Sequence, residues 1–385
     1  MIAPDYQGGS IVNLMSSILR ARGGASDYAP LRLLPPAALA QSRGILLLVV
    51  DGLGAGWLAR HSPDGALSRH LLGPITSVFP PTTATAIATF LTGDAPQQHG
   101  LTGWHTYLRE LGCVMRVLPG DPRYGGVSYR KAGIDPARLF GLRPIAERIA
   151  ARTLIISPAQ IAHSDFNLSL LGGAELRTFE TLRQMFRQAL RAVRRGRGSK
   201  FIYLYWPRLD AIGHEQGVES AAAAAHLAEI EQALEGFIAD LSGTGTLVLV
   251  TADHGQIDTT PADCIDLDDH PRLGGYLALP LCGEPRAAFC YLRPAGVDEF
   301  VAYCQEALGE AVDLWPSAEL IGRGLFGLGR PHPRLADRIG DYVLMPRGNR
   351  IVRDWLPFEE RHRHVGVHGG LSRAELEVPL CLFRT

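Results

Sequence analysis

The chain has 385 residues, of which 46% are hydrophobic and 20% charged, and its formal net charge is −1. That length buries a large core and accommodates more than one ordinary domain. The near-neutral balance argues against a nucleic-acid polymer as partner, which calls for a basic excess, but is compatible with a small phosphorylated substrate held by local charge or bound metal.

The first residues, MIAPDYQGGSIVNLMSSILRARGG, carry no basic segment followed by a long apolar run, so no secretory leader is expected. Apolar runs such as Ile45–Val50 are too short to cross a membrane, which predicts a cytoplasmic protein without a membrane partner. Gly44–Val50 is apolar throughout, as strands buried on both faces of a parallel sheet are, and it runs straight into Asp51-Gly52. Next, Gly54-Ala55-Gly56-Trp57-Leu58-Ala59 fits a dinucleotide fingerprint. The acidic residue required about 20 positions on is missing from Gly73–Phe79, so that reading is set aside.

Ser77–Ala86 reads SVFPPTTATA, with prolines, then hydroxyls, then a helical run to about Leu91 that ends at Thr92-Gly93. Thr83 thus falls near a helix N-terminus, where N–H groups and the helix dipole favour an anion. A metal-coordinated hydroxyl there can attack phosphorus; the competing reading is that Thr82 or Thr83 only caps the helix. Residues 100–140 show no clear period.

Arg152–Ile156, Phe201–Trp206 and Thr246–Thr251 are further strands of the buried type. Helical patterns over Leu176–Arg194 and Ser220–Leu241 alternate with them, the second with Leu227, Ile230, Leu234 and Phe237 on one stripe. The alternation predicts an α/β fold with a mostly parallel central sheet and helices on both faces. Asp210 and His214 follow the Phe201–Trp206 strand at a spacing of four, which places both on one helical face. Asp253 and His254 end the Thr246–Thr251 strand, where the turning backbone can bring adjacent side chains into one site. Ligands in open α/β sheets bind beyond the carboxyl ends of strands, and three strands deliver carboxylate or imidazole there. Such mixed donors suit zinc, manganese or iron better than magnesium or calcium, which prefer all-oxygen shells.

Residues 260–345 depart from the core pattern with a short strand at Ala288–Leu292 and a helix at Val297–Leu308. They read as an inserted cap-like subdomain, with 1–259 and 346–385 forming the catalytic core and the return at about Asp341–Met345. The late His368-Gly369-Gly370 is a plausible ligand loop, while His362 and His364 read as surface residues. Six cysteines without a CxxC pair read as scattered thiols.

With these residues in order, the chain resembles the alkaline phosphatase superfamily, and within it the nucleotide pyrophosphatase/phosphodiesterase branch. The resemblance runs from about Ile45 to Gly370 and rests on Asp51-Gly52, Phe-Pro-x-x-Thr83, Thr92-Gly93, His99-Gly100, Asp210-xxx-His214, Thr-Ala-Asp253-His254-Gly and His368-Gly-Gly. It implies two metal sites, one from Asp210, His214 and His368, the other from Asp51, Asp253 and His254 with Thr83. The metals are expected to be two divalent ions, zinc being favoured and manganese an alternative. It further implies that Thr83 is the nucleophile of a phosphodiesterase or nucleotide pyrophosphatase and forms a phospho-threonine that water hydrolyses. The chain departs from that branch at Trp104, which follows His99-Gly100-Leu101-Thr102-Gly103 where Asn is usual. Trp104 is therefore a candidate substrate contact. The indole N–H, His105 or Tyr107 are alternative donors to phosphate, and a phosphomonoesterase, a phosphonate hydrolase, a phosphosugar mutase or a non-catalytic metal-binding protein are the competing functions.

Overall fold

The computed structural model describes residues 1–357 and 359–385. Its main sheet has seven strands: β1 (Gly44–Val50), β2 (Leu71–Thr76), β3 (Arg152–Pro158), β4 (Glu175–Phe179), β5 (Lys200–Trp206), β6 (Thr246–Thr251) and β7 (Glu377–Arg384). They lie side by side in the order β2-β7-β6-β1-β5-β3-β4. Only β7 runs against its neighbours; β6, β1, β5, β3 and β4 are mutually parallel. Every residue of β1, β5 and β6 is buried, because helices cover both faces, and this is why these strands read as unbroken apolar runs.

Four helices position the site or the core beneath it: α1 (Thr83–Thr92), α2 (Leu182–Arg194), α3 (Arg208–Gln216) and α4 (Ala221–Asp240). In α4 the Ser220 hydroxyl accepts from Ala223 N at the N-terminus, and Leu227, Ile230, Leu234 and Phe237 are all buried as their spacing requires. The helix expected from Leu176 starts instead at Leu182, capped by Thr181. Glu175–Phe179 before it is a strand that pairs in parallel with β3. Its apolar and polar residues fit either period, and only pairing to the sheet edge decides.

A second, antiparallel sheet of seven strands is shared by two stretches of chain. Its order is Val312–Pro316, Tyr342–Pro346, Ala287–Cys290, Cys282–Glu284, His105–Leu108, Cys113–Arg116 and Asp121–Pro122. The join is the pairing of Gly283 with His105. Tyr342–Pro346, expected to re-enter the main sheet, is hydrogen-bonded inside this second sheet, and the chain returns to the main sheet only at β7. Its apolar character reflects burial between two antiparallel partners. Helix Val297–Leu308 packs Phe300, Cys304 and Leu308 against this sheet's Ala288, Leu344 and Val312. The six cysteines are free thiols. Among the described residues no helix is long and apolar enough to cross a membrane.

The two sheets are tied by a buried ion pair. Arg286, in the hairpin after Cys282–Glu284, places Nε and Nη2 3.0 and 2.9 Å from the two oxygens of Glu375, ahead of β7. Glu375 also accepts from Gly370 N at 2.8 Å, and its own carbonyl accepts from Gly255 N at 2.8 Å. Removing one partner strands a buried charge and costs about 3–5 kcal/mol, whereas replacing both with apolar groups costs less. Glu375→Leu is therefore expected to lower the urea midpoint clearly, and Arg286→Met with Glu375→Leu to recover part of the loss. A double variant less stable than either single one would contradict this account.

Candidate metal centre and active site

Three adjacent central strands, β6, β1 and β5, end at the same edge of the sheet. Asp51 directly follows β1, Asp253 comes two residues after β6, and Asp210 sits in the first turn of α3, just beyond β5. His254 is next in chain to Asp253, and His214 lies one turn after Asp210. His368 arrives from the loop after Gly366–Val367, a strand paired with Ile257–Asp258. All six side chains meet. His254 Nε2 is 3.3 Å from Asp51 Oδ1 and 3.5 Å from Asp253 Oδ2, and His214 Nε2 is 3.2 Å from Asp210 Oδ2. The His368 ring stacks at 3.8 Å on His254 and lies 5.2 Å from His214. Thr83 Oγ1 is 3.2 Å from His254 Nε2.

In each of the six the protein fixes one polar atom, and the second atoms face one another across the cluster. The Nδ1 atoms of His214, His254 and His368 face the carbonyls of Gly366, Gly255 and Pro81 at 2.7, 3.1 and 3.2 Å, which turns each Nε2 inward. Among the carboxylates, Asp253 Oδ1 accepts from Gly52 N and His254 N, Asp51 Oδ2 from the Tyr205 hydroxyl, and Asp210 Oδ1 from Gln256 Nε2. Asp51 Oδ1 and Asp253 Oδ2 are buried without any hydrogen-bond partner. Buried polar atoms are rarely left so, and a cation shared between these two oxygens would satisfy both.

The electrostatics agree. Burial, with the charges of Asp210 and Asp253 added, raises the Asp51 pKa well above the carboxylate range. Burial also works to raise Asp210, but His214, His368 and His254 outweigh it and hold the carboxyl low. Burial and the neighbouring His254 push His368 well below the usual imidazole value, so its ring is a neutral donor. The cluster is short of positive charge, and its donors are three carboxylates and three imidazoles. Two groups offer ligand atoms within 4.8 Å of one another: Asp51, Asp253 and His254, and Asp210, His254 and His368. A divalent cation fits both the charge and the donor set.

Thr83 is the first residue of α1. Thr82 takes the N-cap place but does not cap the helix; its hydroxyl donates to Glu284 Oε1 at 2.7 Å. The first-turn N–H groups of α1 therefore have no side-chain cap. Trp104 is 37% exposed, its amide donates to the same Glu284 oxygen at 2.6 Å, and its carbonyl accepts from Val117 N. Of the other donors considered beside it, Tyr107 packs edge-on against Tyr291, and burial next to Arg123 lowers the His105 pKa to about 3. His364 differs from its reading as a surface residue in one respect: its ring lies 4.5 Å from that of His214. Gly54 of the apparent dinucleotide motif serves packing, since a Cβ there would meet the Ala374 carbonyl at 3.0 Å and Gly255 Cα at 3.4 Å.

Four residues around the centre escaped the sequence reading. Tyr205, Gln256 and Ser77, whose hydroxyl donates to the Asp253 carbonyl, act from behind the ligands, and Glu284 comes from the other sheet. The only sequence signal was phenols within the otherwise apolar Phe201–Trp206 run.

No curated protein sequence matches the chain. Among solved structures it is similar to murine ectonucleotide pyrophosphatase/phosphodiesterase 5, with TM-score 0.64, 16% identity, and coverage of 88% of this chain and 87% of that one. An inactive variant of that mouse protein in complex with AMP gives TM-score 0.62 at 16% identity, over 87% of each chain. Phosphonoacetate hydrolase from Sinorhizobium meliloti 1021, in complex with phosphonoformate, gives TM-score 0.57 at 20% identity, over 89% of this chain and 90% of that one. These likenesses establish the alkaline-phosphatase-like fold. Residues 45–371 match the type I phosphodiesterase/nucleotide pyrophosphatase family, and the chain belongs to that metal-dependent family of hydrolases, which act on phosphoester and phosphoanhydride bonds.

Proposed function

We propose that the chain is a phosphodiesterase or nucleotide pyrophosphatase that binds two divalent ions and uses Thr83 as its nucleophile. One observation carries the reading: Thr83 Oγ1, at a helix N-terminus without a side-chain cap, lies 3.2 Å from His254 Nε2, in the cluster where Asp51 Oδ1 and Asp253 Oδ2 are buried without a hydrogen-bond partner. Asp210, His214 and His368 would hold one ion, and Asp51, Asp253, His254 and Thr83 the other. Zinc suits the nitrogen-and-oxygen donors best, with manganese the alternative. Bound ions supply Lewis-acid charge at the attacking and leaving oxygens.

The chain's own residues do the rest. Thr83 Oγ1 gives its proton to solvent and bonds to phosphorus while the bond to the leaving oxygen breaks, giving a phospho-threonine and releasing the leaving group, which is protonated from solvent where it is an alkoxide. Water then attacks the phosphorus, the bond to Oγ1 breaks, and Thr83 is regenerated. The open N–H groups at the start of α1 face the non-bridging oxygens, where charge builds up. The half-open indole of Trp104 contacts the substrate at the rim. The substrate is a small phosphorylated molecule, with nucleotides inside that class.

Hydrolysis of bis(p-nitrophenyl) phosphate is expected to vanish on chelation and return with zinc. Thr83→Ala is expected to lower kcat by about 10³-fold or more at unchanged zinc content. Undiminished turnover in that variant rules out the nucleophile. Tyr205→Phe removes the donor that fixes Asp51, so zinc affinity, read by competition with a chromogenic chelator, is expected to fall about 10- to 100-fold. Wild-type affinity in Tyr205→Phe would mean that the phenol does not orient the ligand.

A further inference from the structure

Basic charge is concentrated on α2, whose C-terminal end leads into the start of β5, opposite the strand ends that carry the metal ligands. Six arginines, Arg183, Arg187, Arg191, Arg194, Arg195 and Arg197, and no acidic residue fall within 181–198, in a chain whose net charge is −1. All six are exposed, and among the described residues none forms an ion pair; Arg194 donates to the Asp240 carbonyl at 2.9 Å. At 3.6 residues per turn, Arg183, Arg187, Arg191 and Arg194 fall within an arc of about 80°, and at 1.5 Å per residue they extend over about 17 Å. The other side of α2 buries Met185, Phe186, Ala189 and Val193, so the stripe stands on a fixed support. Helix stability does not account for it. Arg191 and Arg194 suit the negative end of the helix dipole, but Arg183 lies in the first turn, at the positive end. Arg183 with Arg187, and Arg187 with Arg191, set like charges four residues apart, where they repel. Arg187 and Arg191 also line a groove beside β4, an edge strand paired only with β3. Of the acidic groups at that groove, Glu175 is engaged by Arg152 and Arg177, and Glu180 alone offsets the stripe. Ala159 lines the same groove, and two residues on comes Ile161, 40% exposed.

We propose that this arginine face docks the protein on an anionic lipid surface, with Ile161 as an adjoining apolar contact. Charges spread over about 17 Å of helix converge on no single point, as a small phosphate requires, whereas a plane of headgroups meets them all. Each guanidinium can pair with a headgroup phosphate through two N–H groups. Single-stranded nucleic acid is held by stacking on aromatic side chains, and those beside the stripe, Phe179 and Phe186, are buried. The lack of a spanning run, which predicts no membrane partner, does not bear on contact with a surface. The docking is independent of catalysis, so its test needs no turnover.

Phosphatidylcholine vesicles containing about 30% phosphatidylserine are expected to sediment the full-length chain at about 0.1 M salt, and to release it at about 0.5 M salt. Vesicles of phosphatidylcholine alone are expected to leave it in solution. The triple variant Arg183→Gln, Arg187→Gln, Arg191→Gln is expected to bind the anionic vesicles about 100-fold more weakly. Its urea midpoint is expected to equal or exceed that of the wild type, because the repulsions along the helix are removed. Arg272→Gln with Arg330→Gln and Arg350→Gln removes the same charge elsewhere and is expected to bind within about twofold of wild type. Four results overturn the proposal: no sedimentation with anionic vesicles, equal binding to neutral ones, an equal loss in both triple variants, or an oligonucleotide duplex held by the three arginines more tightly than the vesicles at the same salt. The last would assign the face to nucleic acid instead.

Discussion

Asp51, Asp210 and Asp253 are buried side by side, and everything around them follows from that cost. An isolated carboxylate taken out of water is expensive by tens of kcal/mol in the idealised limit, and real chains avoid it by pairing, by protonation or by binding a cation. Here pairing is deliberately incomplete. One oxygen of each carboxylate is given a donor, and Asp51 Oδ1 and Asp253 Oδ2 are left with none. A bound cation would complete such a cluster, which fits a metal-dependent family.

The sheet makes that crowding possible. Parallel strands all end at the same edge, so three neighbours, β6, β1 and β5, bring Asp253, Asp51 and Asp210 together without any long loop. β1 registers Val49 with both Tyr205 and Thr251, and so it holds all three strand ends level. The same register sets Tyr205 opposite Val49, two residues before Asp51, with its phenol within reach of that carboxylate. The positions of Asp51, Asp253 and Asp210 are thus set at the ends of fully buried strands, while His368 comes from a loop.

This division explains what could be read from the sequence. Asp51, Asp253 and the Asp210–His214 pair were legible because each follows an apolar run or keeps helical spacing. His368 was legible only as a histidine beside glycines. Thr83 was ambiguous between nucleophile and cap, and the bond from Thr82 to Glu284 removes the simplest capping alternative. Tyr205, Gln256 and Glu284 were invisible, because their roles depend on contacts between residues far apart in sequence, 154 positions for Tyr205–Asp51 and 202 for Thr82–Glu284. The misplaced elements have the same origin. Glu175–Phe179 and Tyr342–Pro346 owe their state to the strands they pair with, and local pattern carries little of that information.

The second sheet has the complementary task. Residues 105–122 and 282–346 are separated by most of the catalytic chain, yet they pair at His105 and Gly283, directly beside Trp104 and Glu284. The pairing brings a half-exposed aromatic and a buried carboxylate together on one wall. Glu375 of its anchor, the Arg286–Glu375 pair, also accepts from Gly370 N, two residues after His368, with its carboxylate, and from Gly255 N, next to His254, with its carbonyl. Wall and candidate ligands therefore share one anchor, since Glu375 holds both Arg286 of the second sheet and Gly370 of the loop that carries His368. Substrate choice can change in such a fold by altering the wall, but only within the displacement that the shared ion pair permits, so substitutions at Glu284 or Trp104 are open to variation where those at Arg286 and Glu375 are not.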